Sequence, residues 1–274
     1  MDRDVENFNT RLRTIKIWEL TIGIIIALIL SIILMFIFPI FETNDDAFML
    51  LLLTLILVFF IWCLKGSNGL NDNVKGALQN EKEILYVFAI NIIFAYLFLF
   101  SVVVLDMFIG MNDPTWISGV DIDSVSLTPS AFLYTLITSV VFAPIIEELV
   151  FRGVLFNRLK IRIGIVPAML ISSILFAIGH DFGGIVSAFL FGICMCILYL
   201  KTDNILIPMS VHLINNVVAT LLDVTAFDAI ITSFPWIILL GILILIATIL
   251  LIKYINFITQ YKAAVPPGGN LQAS

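Results

Sequence analysis

The chain has 274 residues, of which 61% are hydrophobic and 12% charged, with a formal net charge of −6. Soluble domains carry about 25% charged residues, so a soluble domain with a single anchor is excluded. The acidic balance gives no reason to expect nucleic-acid binding. What remains is an all-α, polytopic membrane bundle.

In chain order, residues 1–16 mix acids, bases and a few apolar side chains, which predicts a short interfacial segment on the cytoplasmic face. Apolar runs near the roughly 17–25 residues needed to span hydrocarbon then follow. They are Ile17–Phe41, Ala47–Leu64, Ile84–Leu105, Ala131–Phe156, Ile163–His180, Gly184–Leu200, Ile205–Leu222 and Ala229–Ile255. Eight helices within residues 17–256 are therefore expected, with no separately folding soluble domain. The first run is too long for a signal-peptide core and reads as a retained helix. The polar stretch Lys65–Glu83 reads as the longest inner connection. Asp106–Thr128 reads as an outer loop in which Trp116 is an interfacial anchor. Residues 257–274, small and rich in Pro and Gly, read as a disordered tail.

Orientation follows from where the basic residues fall, because cytoplasmic loops collect Lys and Arg. With the N-terminus inside, all 14 Lys and Arg fall on inner segments or inner helix ends, and the outer segments hold only acids. Eight spans with both termini cytoplasmic satisfy this pattern. Cys63, Cys194 and Cys196 fall inside helices without metal-type spacing, and read as small packing residues. Gly184, Ala188 and Gly192 recur every fourth residue on the sixth run, a spacing that lets helix backbones approach closely.

Chemistry is concentrated in the fourth, fifth and seventh runs. Glu147 and Glu148 lie side by side in apolar sequence, at a cost of about 2.5–3.5 kcal/mol each on insertion scales. Arg152 is four residues beyond Glu148, on the same helix face, where the two can pair. Glu147 points about 100° away. The only two histidines, His180 and His212, also lie in or at the ends of apolar runs, and Asn216 follows His212 by one turn. At 1.5 Å rise per residue, Glu147 and Glu148 lie roughly 15 Å, His212 about 12 Å, Asn216 about 18 Å and His180 about 20 Å above the cytoplasmic boundary. The five groups thus reach a similar depth. Each has an ordinary reading taken singly: an ion pair that glues helices, or a histidine in an interhelical hydrogen bond. A proton or ion pathway is a further reading. Their convergence points to one wet, buried site.

Glu147-Glu148-x-x-x-Arg152-Gly153, Phe176-x-x-x-His180 and His212-x-x-x-Asn216 together resemble the motifs of the CPBP family. That group holds the type II CAAX prenyl endopeptidases, bacterial Abi proteins and lysostaphin-resistance protein A-like proteins. The resemblance covers residues 131–222. It implies an all-helical intramembrane endopeptidase of a bacterial plasma membrane, acting on a membrane-associated peptide or protein. Its site positions fall on Glu147, Glu148, Arg152, His180, His212 and Asn216. The chain has no HExxH, GxSG or GxGD motif.

Two hydrolytic routes are compatible with these residue types. In one, Glu147 assisted by His180 deprotonates a water, His212 and Asn216 donate to the oxyanion, and Glu148 with Arg152 hold the surrounding shell. In the other, Glu147, His180 and His212 ligate a divalent metal such as zinc, whose bound water is the nucleophile. The alternative to either is a non-proteolytic membrane scaffold that regulates a peptidoglycan-modifying envelope enzyme, docked through the acidic outer loops.

Overall fold

The computed structural model describes residues 7–109, 133–134, 136–180 and 184–225, with single positions between 242 and 256. Residues 1–6, Trp116 and most of the expected outer loop, Asp181–Gly183, most of the expected eighth helix and the tail lie outside the described residues. Among the described residues every regular element is helical.

A short helix, α1 (Phe8–Thr14), is capped by the Asn7 side chain, which accepts from the Asn9 amide. Helix α2 (Ile17–Ile37) is apolar on all sides and buries only Leu20, Gly23, Ala27 and Ser31. Those last three small residues repeat every fourth position and face α4 (Asp45–Leu64). A Cβ on Gly23 would lie 2.7 Å from the Phe59 ring, so this contact needs glycine. The rest of α2 exposes Ile22, Ile25, Ile26, Ile29 and Ile33. Apolar surface of that extent has lipid as its solvent. Pro39 ends the first apolar run early, and a single turn, α3 (Ile40–Thr43), leads to α4.

The expected polar connection after Lys65 holds an amphipathic helix, α5 (Leu70–Gln79). Its Leu70, Val74 and Leu78 are exposed, while Asn73, on the flank of that stripe, is buried. Helix α6 (Glu81–Ile109) follows after a one-residue break at Asn80.

The fourth apolar run forms one rod of four pieces. A wide-turn π segment, π1 (Leu136–Phe142), is followed by α7 (Ala143–Glu147), a second π segment, π2 (Glu148–Phe156), and α8 (Asn157–Ile163). Pro144 sits at the first junction. It has no N–H, and its ring crowds the carbonyl four residues back. A wider turn ahead of it relieves that clash. At the end of π2, Asn157 Nδ2 donates to the carbonyls of Arg152 (3.1 Å) and Gly153 (2.8 Å) and reaches the Tyr199 hydroxyl at 3.1 Å. Helices α9 (Ile165–Ile178), α10 (Ile185–Thr202) and α11 (Leu206–Thr225) complete the described bundle.

Three of the described helices, Ile17–Ile37, Asp45–Leu64 and Ile185–Thr202, are long and apolar enough to cross a membrane, and Ile165–Ile178 and Leu206–Leu221 are shorter apolar helices. The chain is an integral membrane protein. Its rod packs between α9, α11 and α4. At the basic end, Asn9 Nδ2 donates to Asn73 Oδ1 and to the Asp203 carbonyl, both at 2.9 Å, while its Oδ1 accepts from the Ile205 amide at 3.4 Å. Leu12 is fully buried, and its side chain fills the space that a Cβ on Gly153 would need. Helix α1 is thus locked to α5, the rod and the α10–α11 turn.

Candidate active site

The apolar rod delivers its two carboxylates to different environments. Glu148 and Arg152 are both fully buried and form an ion pair, Nη1 to Oε1, at 2.9 Å. Arg152 Nη2 also donates to the Gly192 carbonyl at 3.3 Å. Its guanidinium carbon lies 4.5 Å from the centre of the Phe176 ring, where the aromatic face attracts a cation. A desolvated guanidinium is tolerated only where an opposite charge and hydrogen-bond acceptors meet it in this way.

His212 inserts between the two glutamates. Its Nδ1 is 3.0 Å from Glu148 Oε1, and its Nε2 is 3.6 Å from Glu147 Oε2. A carboxylate only accepts, so Nδ1–H donates to Glu148, which fixes the ring. The Glu147 side chain is 31% exposed against 4% for His212, so Glu147 is the open end of the cluster. The remaining Glu148 oxygen, Oε2, is buried with no hydrogen-bond partner among the described residues.

Aromatic rings hold the histidines. Phe176 lies 4.7 Å from the His180 ring, 5.7 Å from His212 and 5.9 Å from Phe191, centre to centre. Phe191 lies 4.8 Å from His212. His180 Nδ1 faces the Phe176 carbonyl at 3.0 Å, so it carries the proton and leaves Nε2 with a free lone pair.

Close backbone packing supports the cluster from behind. A Cβ on Gly192 would lie 2.9 Å from Ser173 Cβ and 3.0 Å from its Cα, so α9 and α10 meet at van der Waals distance there. The same approach places the Gly192 carbonyl against Arg152. Cys196 lies beside Arg152 and Ser173, and both Cys194 and Cys196 are buried and unpaired with each other.

Glu147, Glu148, Arg152 and His212 therefore form one connected chain of polar contacts, and His180 joins it through Phe176. Asn216 is placed differently from the expectation of a shared donor pair. Its Nδ2 donates to the Ser139 carbonyl at 2.7 Å, and His212 turns both ring nitrogens to carboxylates. The widened π1 turn offers that carbonyl to one of the two Asn216 amide hydrogens. Phe191 and Asn157 were not foreseen. Phe191 is one of many apolar residues on its helix, and only its place beside Gly192 marks it. Asn157, the first polar residue after a long apolar run, carries a readable stop signal.

The ligand set Glu147, His180 and His212 does not fit a metal in this arrangement. Among the described residues no three His, Cys, Asp or Glu side chains converge as a metal-binding group. His180 Nδ1 faces a backbone carbonyl and His212 Nδ1 faces Glu148, so each ring has only Nε2 left to offer.

Residues 129–218 match the family model described as type II CAAX prenyl endopeptidase Rce1-like. A curated Bacillus subtilis (strain 168) protein named "Putative membrane peptidase YdiL" is 34% identical over 82 residues, covering 30% of this chain. The chain spans about a third (34%) of that relative's length. No solved structure matches. The matched residues are those that bring the two glutamates, the arginine and the histidines together, and this segment of the chain is similar to the Rce1-like type II CAAX prenyl endopeptidase model.

Proposed function

We propose that the chain is an intramembrane endopeptidase that hydrolyses a peptide bond of a membrane-associated substrate with a glutamate-activated water. The observation that carries this reading is the asymmetry of the glutamate pair: Glu148 is closed off and spent on Arg152 and His212, whereas Glu147 is open. A general base must reach its substrate, and Glu147 is the carboxylate that can.

In this mechanism a water lies between Glu147 and the free Nε2 of His180. Glu147 takes a proton as the water oxygen attacks the scissile carbonyl carbon. His212 Nε2 and the second amide hydrogen of Asn216 are the donors available to the oxyanion. Collapse of the tetrahedral intermediate breaks the C–N bond, and the proton on Glu147 passes to the leaving amine. Glu148 and Arg152 hold His212 in orientation and touch no reacting atom. No step passes through a metal.

Substrate access fits the same reading. An apolar cavity of about 890 Å³ opens between α4, α5, α6, the rod and α11. Ile145 and Leu149, on either side of the glutamates, share its lining with Leu213 and Ile214 from the histidine helix. A hydrophobic substrate segment can lie there beside the cluster. We further propose eight spans with both termini cytoplasmic, in a bacterial plasma membrane.

The test is cleavage of a membrane-associated peptide by the purified chain. Glu147→Gln should lower kcat by about 10²–10⁴-fold, the usual worth of a general base, with unchanged thermal unfolding. Chelator should leave the rate unchanged. Full activity in Glu147→Gln would overturn the reading. A Glu147/His180/His212 triple alanine variant that still supports the cellular phenotype would favour the scaffold role instead.

A further inference from the structure

A second cavity, about 790 Å³, lies away from the glutamates, between the start of α2 and the end of α8. Its polar lining is Lys16, Thr21, Arg158 and Arg162, and its apolar lining includes Trp18, Ile22 and Ile161. Glu19 is the neighbouring acid. It accepts from the Lys16 backbone amide at 2.9 Å and faces Arg158. Among the described residues, three cations against one carboxylate give the site two net positive charges.

The cations differ in how they are held. Arg158 Nε donates to the Ile15 carbonyl at 2.7 Å, and its Nη2 donates to the Thr14 carbonyl. It is half-buried, and burial lowers its pKa from the ordinary value; Glu19 opposes that shift and Arg162 adds to it. Lys16 and Arg162 are exposed and form no ion pair among the described residues. Lys16 Nζ lies 5.7 Å from the Trp18 ring centre.

Depth identifies the occupant. Lys16 immediately precedes the apolar run of α2, and Trp18 is 57% exposed at its first turn. Tryptophan and lysine at the start of a span mark the headgroup level. Ile22 and Ile161, both exposed, continue the cavity wall. A basic pocket between helices at the headgroup level, with apolar walls running from it, matches an anionic lipid. A soluble anion would have no use for those walls.

We propose that this cavity binds the phosphodiester headgroup of an anionic phospholipid, with Lys16 and Arg162 as its exposed cations and Arg158 as its fixed one. The lipid then bridges α2 to the rod. It joins the same two elements that Arg158 already ties through the backbone before α2. Because Glu147 and Glu148 ride on that rod, an occupied site steadies the segment that carries them.

The experiment is native mass spectrometry of the full chain in detergent, with phosphatidylglycerol or phosphatidylcholine added at equal concentration. Phosphatidylglycerol should be retained preferentially. Each cation near a lipid surface contributes about fivefold in affinity, so Lys16→Gln with Arg162→Gln should weaken retention by roughly 25-fold. Lys75→Gln, at an exposed base outside the cavity, should leave it unchanged. Thr21→Trp keeps every cation but fills the cavity, and should also abolish the preference. Equal retention of the two lipids, an equal loss in Lys75→Gln, or full retention in Thr21→Trp would overturn the assignment. Displacement of the lipid by millimolar inorganic phosphate would identify a free-anion site and overturn it as well.

Discussion

Glu148 is a carboxylate with no exposed surface, and its neutralisation depends on one side chain. Arg152 offsets its charge, and His212 donates to the same oxygen. Removing one member of a buried pair leaves the other charge stranded, at a cost of about 3–5 kcal/mol. Arg152→Met should therefore lower unfolding stability by about that amount, measured by denaturant titration in detergent. Adding Glu148→Gln to Arg152→Met should recover part of the loss, because no uncompensated charge is left. Asn157 has a different role. Its amide closes two carbonyls and meets Tyr199. Asn157→Leu should cost about 1–3 kcal/mol, the penalty for leaving buried acceptors unsatisfied, with kcat altered only through the rod's geometry.

The π2 segment and the α9–α10 contact place these side chains. Gly192→Val adds a branched side chain where even a Cβ would lie 2.9 Å from Ser173. Overpacking of this kind costs about 1–3 kcal/mol. It also pushes the Gly192 carbonyl away from Arg152. Gly192→Val should then lower both thermal stability and kcat, whereas Gly184→Ala, with only His180 Cβ at 3.8 Å, should be mild in stability. Much of this level is legible in the sequence. The Glu148–Arg152 pair follows from helical spacing, and the Gly184-Ala188-Gly192 repeat announces a close helix contact. The widened turns are not legible, because the tertiary fit around Pro144 and Asn157 selects them over an ordinary kink. The amphipathic α5 is hidden for another reason. Leu70, Val74 and Leu78 have helical spacing, but Gly, Asn and Lys residues around them make the stretch read as a polar loop. The His212 wedge is also unreadable, since sequence gives a residue's depth and face but not which neighbour reaches it first.

At the scale of the molecule, the large apolar cavity separates binding of a hydrophobic segment from the chemistry beside it. Ala77→Trp narrows that cavity from the α5 side, remote from the glutamates. It should raise KM for a substrate with a long apolar segment and leave kcat for a short soluble peptide nearly unchanged, as read from steady-state kinetics on both. A uniform fall for both substrates would show that the cavity does not serve binding.

The hydrogen bonds of Asn9 also constrain how the molecule is made. The residue is synthesised before its partners Asn73, Asp203 and Ile205, which lie 64, 194 and 196 positions downstream. During translation α1 therefore waits, with the Asn9 side chain unsatisfied, until those partners reach the bilayer. Contacts of such high sequence separation form late. Docking of this helix, with Leu12 entering beside Gly153, is then a closing step of assembly, and it acts as a latch on the segment that bears the two glutamates.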